Sequence, residues 1–159
     1  MKNPLKREPR HSRHESGEAG FVGGFEALLF GLLIFVAGTL LATHAWAIID
    51  TKAATEAAAR QAVRNYVEAA SPAAAASQSE QAAADALAGY GRSAARARVR
   101  LVSGTFGRCQ RITIAVSYPA PVLMLPWVGR VGAAEWVRAE HSELVDPFRS
   151  GLPGTSTCA

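Results

Sequence analysis

The sequence predicts an α+β fold hung on one long N-terminal helix, and three observations predict it. Residues 27–49 contain no Asp, Glu, Lys or Arg. The stretch from there to about residue 91 is rich in alanine and other strong helix formers. After Gly91 the apolar residues alternate with polar ones, which is the pattern of half-buried strands. A chain of 159 residues has room for about one domain besides the apolar run.

Residues 1–20, MKNPLKREPRHSRHESGEAG, are polar and charged, with no periodic apolar face. They are expected to form a disordered, basic cytoplasmic leader. Residues 21–49 are expected to span a membrane. Ala27 to Ile49 are 23 charge-free positions. As a helix they would reach roughly 35 Å at about 1.5 Å per residue, enough to cross a bilayer's hydrocarbon layer. The run is longer than the roughly 7–15 apolar residues of a cleaved secretory signal. ATHAWA, at 42–47, does carry the small-residue spacing of such a cleavage site, but Trp46 suits an interface anchor better. Lys2, Lys6, Arg7, Arg10 and Arg13 precede the span, against Lys52, Arg60 and Arg64 just after it. That bias favours a single-pass protein in the cell membrane, with a cytoplasmic N-terminus and an extracellular C-terminal domain.

The helix is expected to continue beyond the membrane through 50–70, ending near Ala69, because DTKAATEAAARQAVRNYVEA lacks Gly and Pro. Glu56–Arg60 and Arg64–Glu68 have i,i+4 spacing, and Ala54, Ala58, Ala62 and Tyr66 make one small-to-apolar stripe. Residues 71–91 are expected to form a second, Ala-rich helix, or a linker. Ser71-Pro72 offers one start and the Ser77…Glu80 capping box another, while Gly89 and Gly91 supply the stop.

Residues 92–159 are expected to form a small β-rich head with an antiparallel sheet of about three strands. RARVRL (96–101), RITIAVSY (111–118) and AAEWVRAEHSEL (133–144) are the candidates, with SGTFG as the first turn. Pro119, Pro121 and Pro126 interrupt the segment between the last two, where VLML can still lie as an edge. GLPGTSTCA ends the chain as a loop that only a disulfide would hold. Cys109 and Cys158 either form that disulfide or remain two separate thiols. Paired, they would close a loop of about 50 residues, worth roughly 3–4 kcal/mol on the loop-entropy model.

Within the span, Gly24, Gly31 and Gly38 recur every seven residues. With Ala27, Ala42 and Ala45 they fall within about a 60° sector of a helix. Membrane helices associate by close packing, so this small-residue side reads as a helix-packing seam. Glu26 stands at the start of the apolar run, where an acid is costly unless it pairs or reaches the headgroups. It reads either as an interfacial acid or as an assembly contact with a positive group of a neighbouring subunit.

Gly20, Phe21 and Glu26, leading an apolar helix behind a short basic leader, resemble a type IV prepilin processing site. More narrowly, the chain resembles the TadE-like minor pilins of tight-adherence pili, in their actinobacterial form. The stretches AATEAAARQAVRNYVEA, CQRITIAVSYPAPVLMLPWVG (109–129) and AEHSELVDPFRSGLPGTSTC (139–158) carry the rest of that resemblance, which covers about residues 18–158. It implies cleavage by a prepilin peptidase after Gly20, leaving Phe21 first. It also implies other pilins and the tight-adherence secretion and assembly components as partners. In that family the glutamate is fifth in the mature chain and neutralises a neighbour's terminal amine; Glu26 would be sixth, or fifth if the cut fell after Phe21.

Two further function classes stay open: a permanently anchored extracytoplasmic binding domain that contacts the cell wall, and a DNA-uptake component. The second would rest on Arg96, Arg98 and Arg100, expected on one strand face as a possible polyanion contact. No aromatic residues interleave with them, and the segment from Asp50 carries 12 basic against 9 acidic residues, so nucleic acid is not the expected partner. An enzyme is not expected either. His141 and Ser142 are adjacent, and neighbours on a strand point to opposite faces, which separates base from nucleophile. There is no nucleotide-binding loop and no metal-ligand spacing, so no cofactor or metal is expected. His44 reads as packed or snorkelling near the end of the span.

Overall fold

The computed structural model describes residues 18–125, 129–131 and 135–158. Two helices and a three-stranded antiparallel sheet give the α+β arrangement. Contacts divide the chain into two units, residues 1–41 and 42–159.

Helix α1 runs Glu18–Glu68. It takes Glu18, Ala19 and Gly20 out of the expected disordered leader, consistent with the good helix propensity of Glu and Ala. Residues 1–17 of that leader lie outside the described residues. In the first unit the described side chains are almost all exposed, Phe25, Phe30, Leu33 and Phe35 among them. The helix is long and apolar enough to cross a membrane, and none of its most apolar window is buried within the protein. A lone apolar helix facing water would be strongly unfavourable, so a membrane anchor is the reading that matches its chemistry.

In the second unit the same helix becomes the spine of the head. Ala54, Ala58 and Ala62 are fully buried and Tyr66 is nearly so, with Val63 and Val67 widening the stripe. Thr51 and Thr55 are buried beside them because each hydroxyl donates within the helix, to the carbonyls of Ala47 (2.6 Å) and Thr51 (2.7 Å). Both i,i+4 ion pairs form, Arg64–Glu68 at 3.1 Å and Glu56–Arg60 at 3.8 Å, on exposed surface where they add little stability.

Ser71 caps helix α2, Pro72–Gly89, accepting from the Ala74 amide at 3.2 Å, with Pro72 in the first turn. The chain thus uses the earlier of its two start signals; the Ser77 hydroxyl donates to the Ala74 carbonyl inside the helix instead. Ala75, Ser79, Ala83 and Leu87 form the buried stripe. Gly91 takes a φ of 68° just beyond the end, and the Arg92 amide bonds back to the Leu87 carbonyl at 3.0 Å.

Strand β1 is Arg98–Ser103, two residues later than the alternation predicts. Ala94–Arg96 forms a 3-10 turn, closed by the Ala97 amide on the Ala94 carbonyl. Local backbone bonding at Ser93–Ala94 therefore displaces the start of the strand, and Arg96 leaves it. At the other end the register shifts between Leu101 and Ser103, and Gly104 turns the chain with φ 97°. Any side chain there would collide with the Arg111 carbonyl.

Strand β2, Arg111–Pro119, lies between β1 and β5, Trp136–Leu144. Ile112, Ile114, Val116 and Tyr118 point inward and join the helices in one core, at 2% exposure or less. β5 opens at Trp136; Ala133 and Ala134, expected in that strand, lie outside the described residues. Leu123–Leu125 (β3) does not edge the main sheet but pairs with Gly129–Val131 (β4) as a separate two-stranded ladder.

Cys109 and Cys158 are joined, with Cα atoms 5.1 Å apart. The expectation that only this bond holds the C-terminal loop needs correcting. The Arg108 amide donates to the Pro153 carbonyl (2.9 Å), and the Arg108 side chain to the Arg149 carbonyl (2.7 Å). Arg149 in turn reaches the carbonyls of Val67 and Glu68 at 2.5 and 2.6 Å, closing the C-terminal end of α1. Those carbonyls lack helical partners, which is why a cation fits there.

Candidate functional site

Two surfaces carry the residues singled out by the sequence. On the first, Gly20 and Phe21 lie inside α1, so the bond expected to be processed sits in helical backbone. Glu26 is exposed in the same helix. Gly24, Ala27, Gly31, Gly38, Ala42 and Ala45 are exposed too, and a Cβ built on any of the three glycines meets nothing within 4 Å. This side is thus sterically open to close approach by another helix. His44 is half-buried and Trp46 is 73% exposed, which suits an aromatic ring at a membrane interface.

The second surface is the outer face of the sheet, opposite the core. Register sets Arg98 beside Ser117 and Ser117 beside Arg138, with Arg100, Ala115 and Glu140 in the next row. The Arg98 guanidinium stacks on the Trp136 ring 4.2 Å from its centre, and Arg138 pairs with Glu140 at 2.6 Å. A depression of about 260 Å³ lies among Arg98, Arg100, Ser117, Trp136 and Arg138.

The expected trio is therefore redrawn. Arg96 is not on this face but over the Tyr118 ring, 5.5 Å from its centre, next to Arg92 at 5.6 Å. Its place is taken by Arg138, a residue no local pattern marks, because antiparallel pairing brings it from 40 residues downstream of Arg98. The aromatic partners missing from the arginine-rich segment also come from elsewhere, from β2 and β5. The cluster can hold an anionic group by charge and hydrogen bonding, while Glu140 offsets part of its charge.

Near the start of the head, Arg92 also bonds Asp50 at 2.6 Å. Its side chain is largely buried, and its Nε has no hydrogen-bond partner.

His141 and Ser142 separate as strand geometry requires. Ser142 shares a 2.8 Å hydrogen bond with Thr113, whereas His141 lines a cleft with Glu56, Arg60 and Ala139. A depression of about 560 Å³ lies between α1 and α2 and is edged by Gln61, Asn65, Gln78, Gln81 and Asp85. Alanines and Tyr90 complete its lining, and Gln81 already bonds Asp85 at 2.9 Å. Among the described residues no group of His, Cys, Asp and Glu side chains is placed to hold a metal ion.

No protein-family profile matches the chain, and no curated protein or solved structure matches it either.

Proposed function

We propose that this protein is a membrane-anchored, pilin-like assembly subunit of the TadE-like kind, working in the biogenesis of a tight-adherence pilus. The observation that carries the reading is the double use of α1. One unbroken helix is bare and apolar at its start, then becomes the core spine of a small α+β head. Such a helix suits a subunit that is stored in a membrane and packs by its stem against similar stems. In this reading the open glycine side supplies the stem contact, and Glu26 meets a neighbour's terminal amine. The N-terminal charge bias supports a cytoplasmic leader and an outer head.

The mass of the mature N-terminus, measured with and without a prepilin peptidase, tests the proposal. The expected product begins at Phe21 and appears only with the peptidase. A chain that keeps Met1 in its presence, or that begins after Ala47, would overturn it.

The basic outer face of the sheet favours a second reading, a permanently anchored domain that grips an acidic polymer of the cell wall. Binding of such a polymer by the intact protein, lost in Arg98→Ala/Arg100→Ala/Arg138→Ala, together with an unprocessed N-terminus, would select it.

A further inference from the structure

The depression between α1 and α2 lies apart from both functional surfaces. It belongs wholly to the second unit, with its lining drawn from residues between Ala57 and Tyr90. The polar groups gathered there are unusual for this chain. The whole sequence has Asn or Gln only at positions 3, 61, 65, 78, 81 and 110, and four of those positions line this one groove. Among the described residues no Lys or Arg lines it, and Asp85 is its only acid. The charges on the same stretch of α1 pair with one another outside the lining, Glu56 with Arg60 and Arg64 with Glu68.

Helical spacing aligns these side chains. Gln61 and Asn65 share one face of α1, and Gln78, Gln81 and Asp85 share one face of α2. Asn65 spends one N–H on the Gln61 carbonyl at 2.9 Å, and the Gln81 amide donates to one oxygen of Asp85. The carbonyl oxygens of Asn65 and Gln81 and the second Asp85 oxygen remain as acceptors. The side-chain amides of Gln61 and Gln78 have no partner among the described residues and offer both donors and acceptors. Ala57, Ala82 and Ala86 add small apolar surface, and Tyr90, 47% exposed, adds an aromatic ring at the end of α2. The volume, about 560 Å³, falls in the usual range for a small-molecule site.

A ligand for this groove must be uncharged, must both donate and accept hydrogen bonds, and must carry an apolar face. A phosphate or carboxylate finds no cation here, and a metal ion finds one carboxylate with an oxygen already engaged. A pyranose meets all three conditions, because its hydroxyls donate and accept while its C–H groups pack on methyls and an aromatic ring. We infer that the groove between α1 and α2 binds a neutral saccharide, with the amides of Gln61 and Gln78 on its hydroxyls and Tyr90 against its C–H face. A helix from a second copy would suit the alanines, but it would strip water from those amides without giving them partners.

The test uses the full chain, with Cys109 and Cys158 joined, in a detergent whose headgroup is not a sugar. Maltohexaose, xylohexaose and chitohexaose are titrated separately by calorimetry. At least one is expected to bind, with an affinity that does not change as salt is raised. Gln61→Ala/Gln78→Ala should weaken that binding about tenfold, and Tyr90→Ala, made separately, by a similar factor. Arg64→Ala, on the same helix but outside the groove, should bind like the native chain. Urea midpoints of the variants show that each still folds. Failure of all three sugars to bind overturns the inference, as does binding that survives in both groove variants. Binding that fades with salt and is lost in Arg98→Ala/Arg100→Ala/Arg138→Ala puts the sugar on the sheet and overturns it too. If no sugar binds and a native dimer becomes monomeric in the groove variants, a second copy covers the groove and the inference falls.

Discussion

Arg149 shows how one side chain can close a fold. Its guanidinium caps the final carbonyls of α1 while its own carbonyl accepts from Arg108, so it joins the first helix to the tail. Arg149→Ala leaves both carbonyls short of a partner and should lower stability by about 1–3 kcal/mol, the usual cost of an unmet polar group with a charged donor removed. Urea unfolding of the full chain in detergent would read this as a lower midpoint with an unchanged slope. Arg149→Lys should recover only part of the loss, since one ammonium replaces a fork that serves two acceptors. An Arg149→Ala midpoint equal to that of the native chain would show the cap to be energetically idle.

At the scale of elements, α1 is two helices in one, and the same kind of substitution should separate them. Ala58 is fully buried in the core stripe, so Ala58→Leu overfills it and should cost about 1–3 kcal/mol. Gly31 faces open space, so Gly31→Leu should leave the unfolding midpoint of the head unchanged while weakening association of stems in a membrane, as read by crosslinking or energy transfer. The alanine stripe was legible in the sequence because its period matches a helix, and the capped start of α2 because Ser-Pro has a local meaning. The start of β1 was not legible. Arg96-Ala97 continues the alternation of Arg98-Val99, and only the bonding of the 3-10 turn separates them. Neither the β3–β4 pairing nor the arrival of Arg138 beside Arg98 could be read, because both depend on contacts between distant segments. The prolines announced an interruption between β2 and β5, but not what would fill it.

For the whole molecule, the disulfide and the hydrogen bonds around it should share the work of holding the C-terminal loop. Reducing Cys109–Cys158 should lower stability by roughly 3–4 kcal/mol if the loop-closure entropy is fully realised. A smaller loss would measure how far the Arg108–Pro153 and Arg149 contacts hold the ends together unaided. Calorimetry of the full chain with and without reductant gives the difference as a shift in Tm.

The same bond has a mechanical consequence. Suppose tension is applied between the stem and the last residue. With the bridge intact the covalent path runs from Cys109 to Cys158 through sulfur, so the backbone of β2 and β5, inside the closed loop, is not drawn out. The stretch closed by the bridge, a sequence separation of 49, is withheld from extension, about 170 Å of contour at roughly 3.4 Å per residue. Oxidised, the head would lengthen under a pull only through α1, α2 and β1; reduced, it could pay out like a spring.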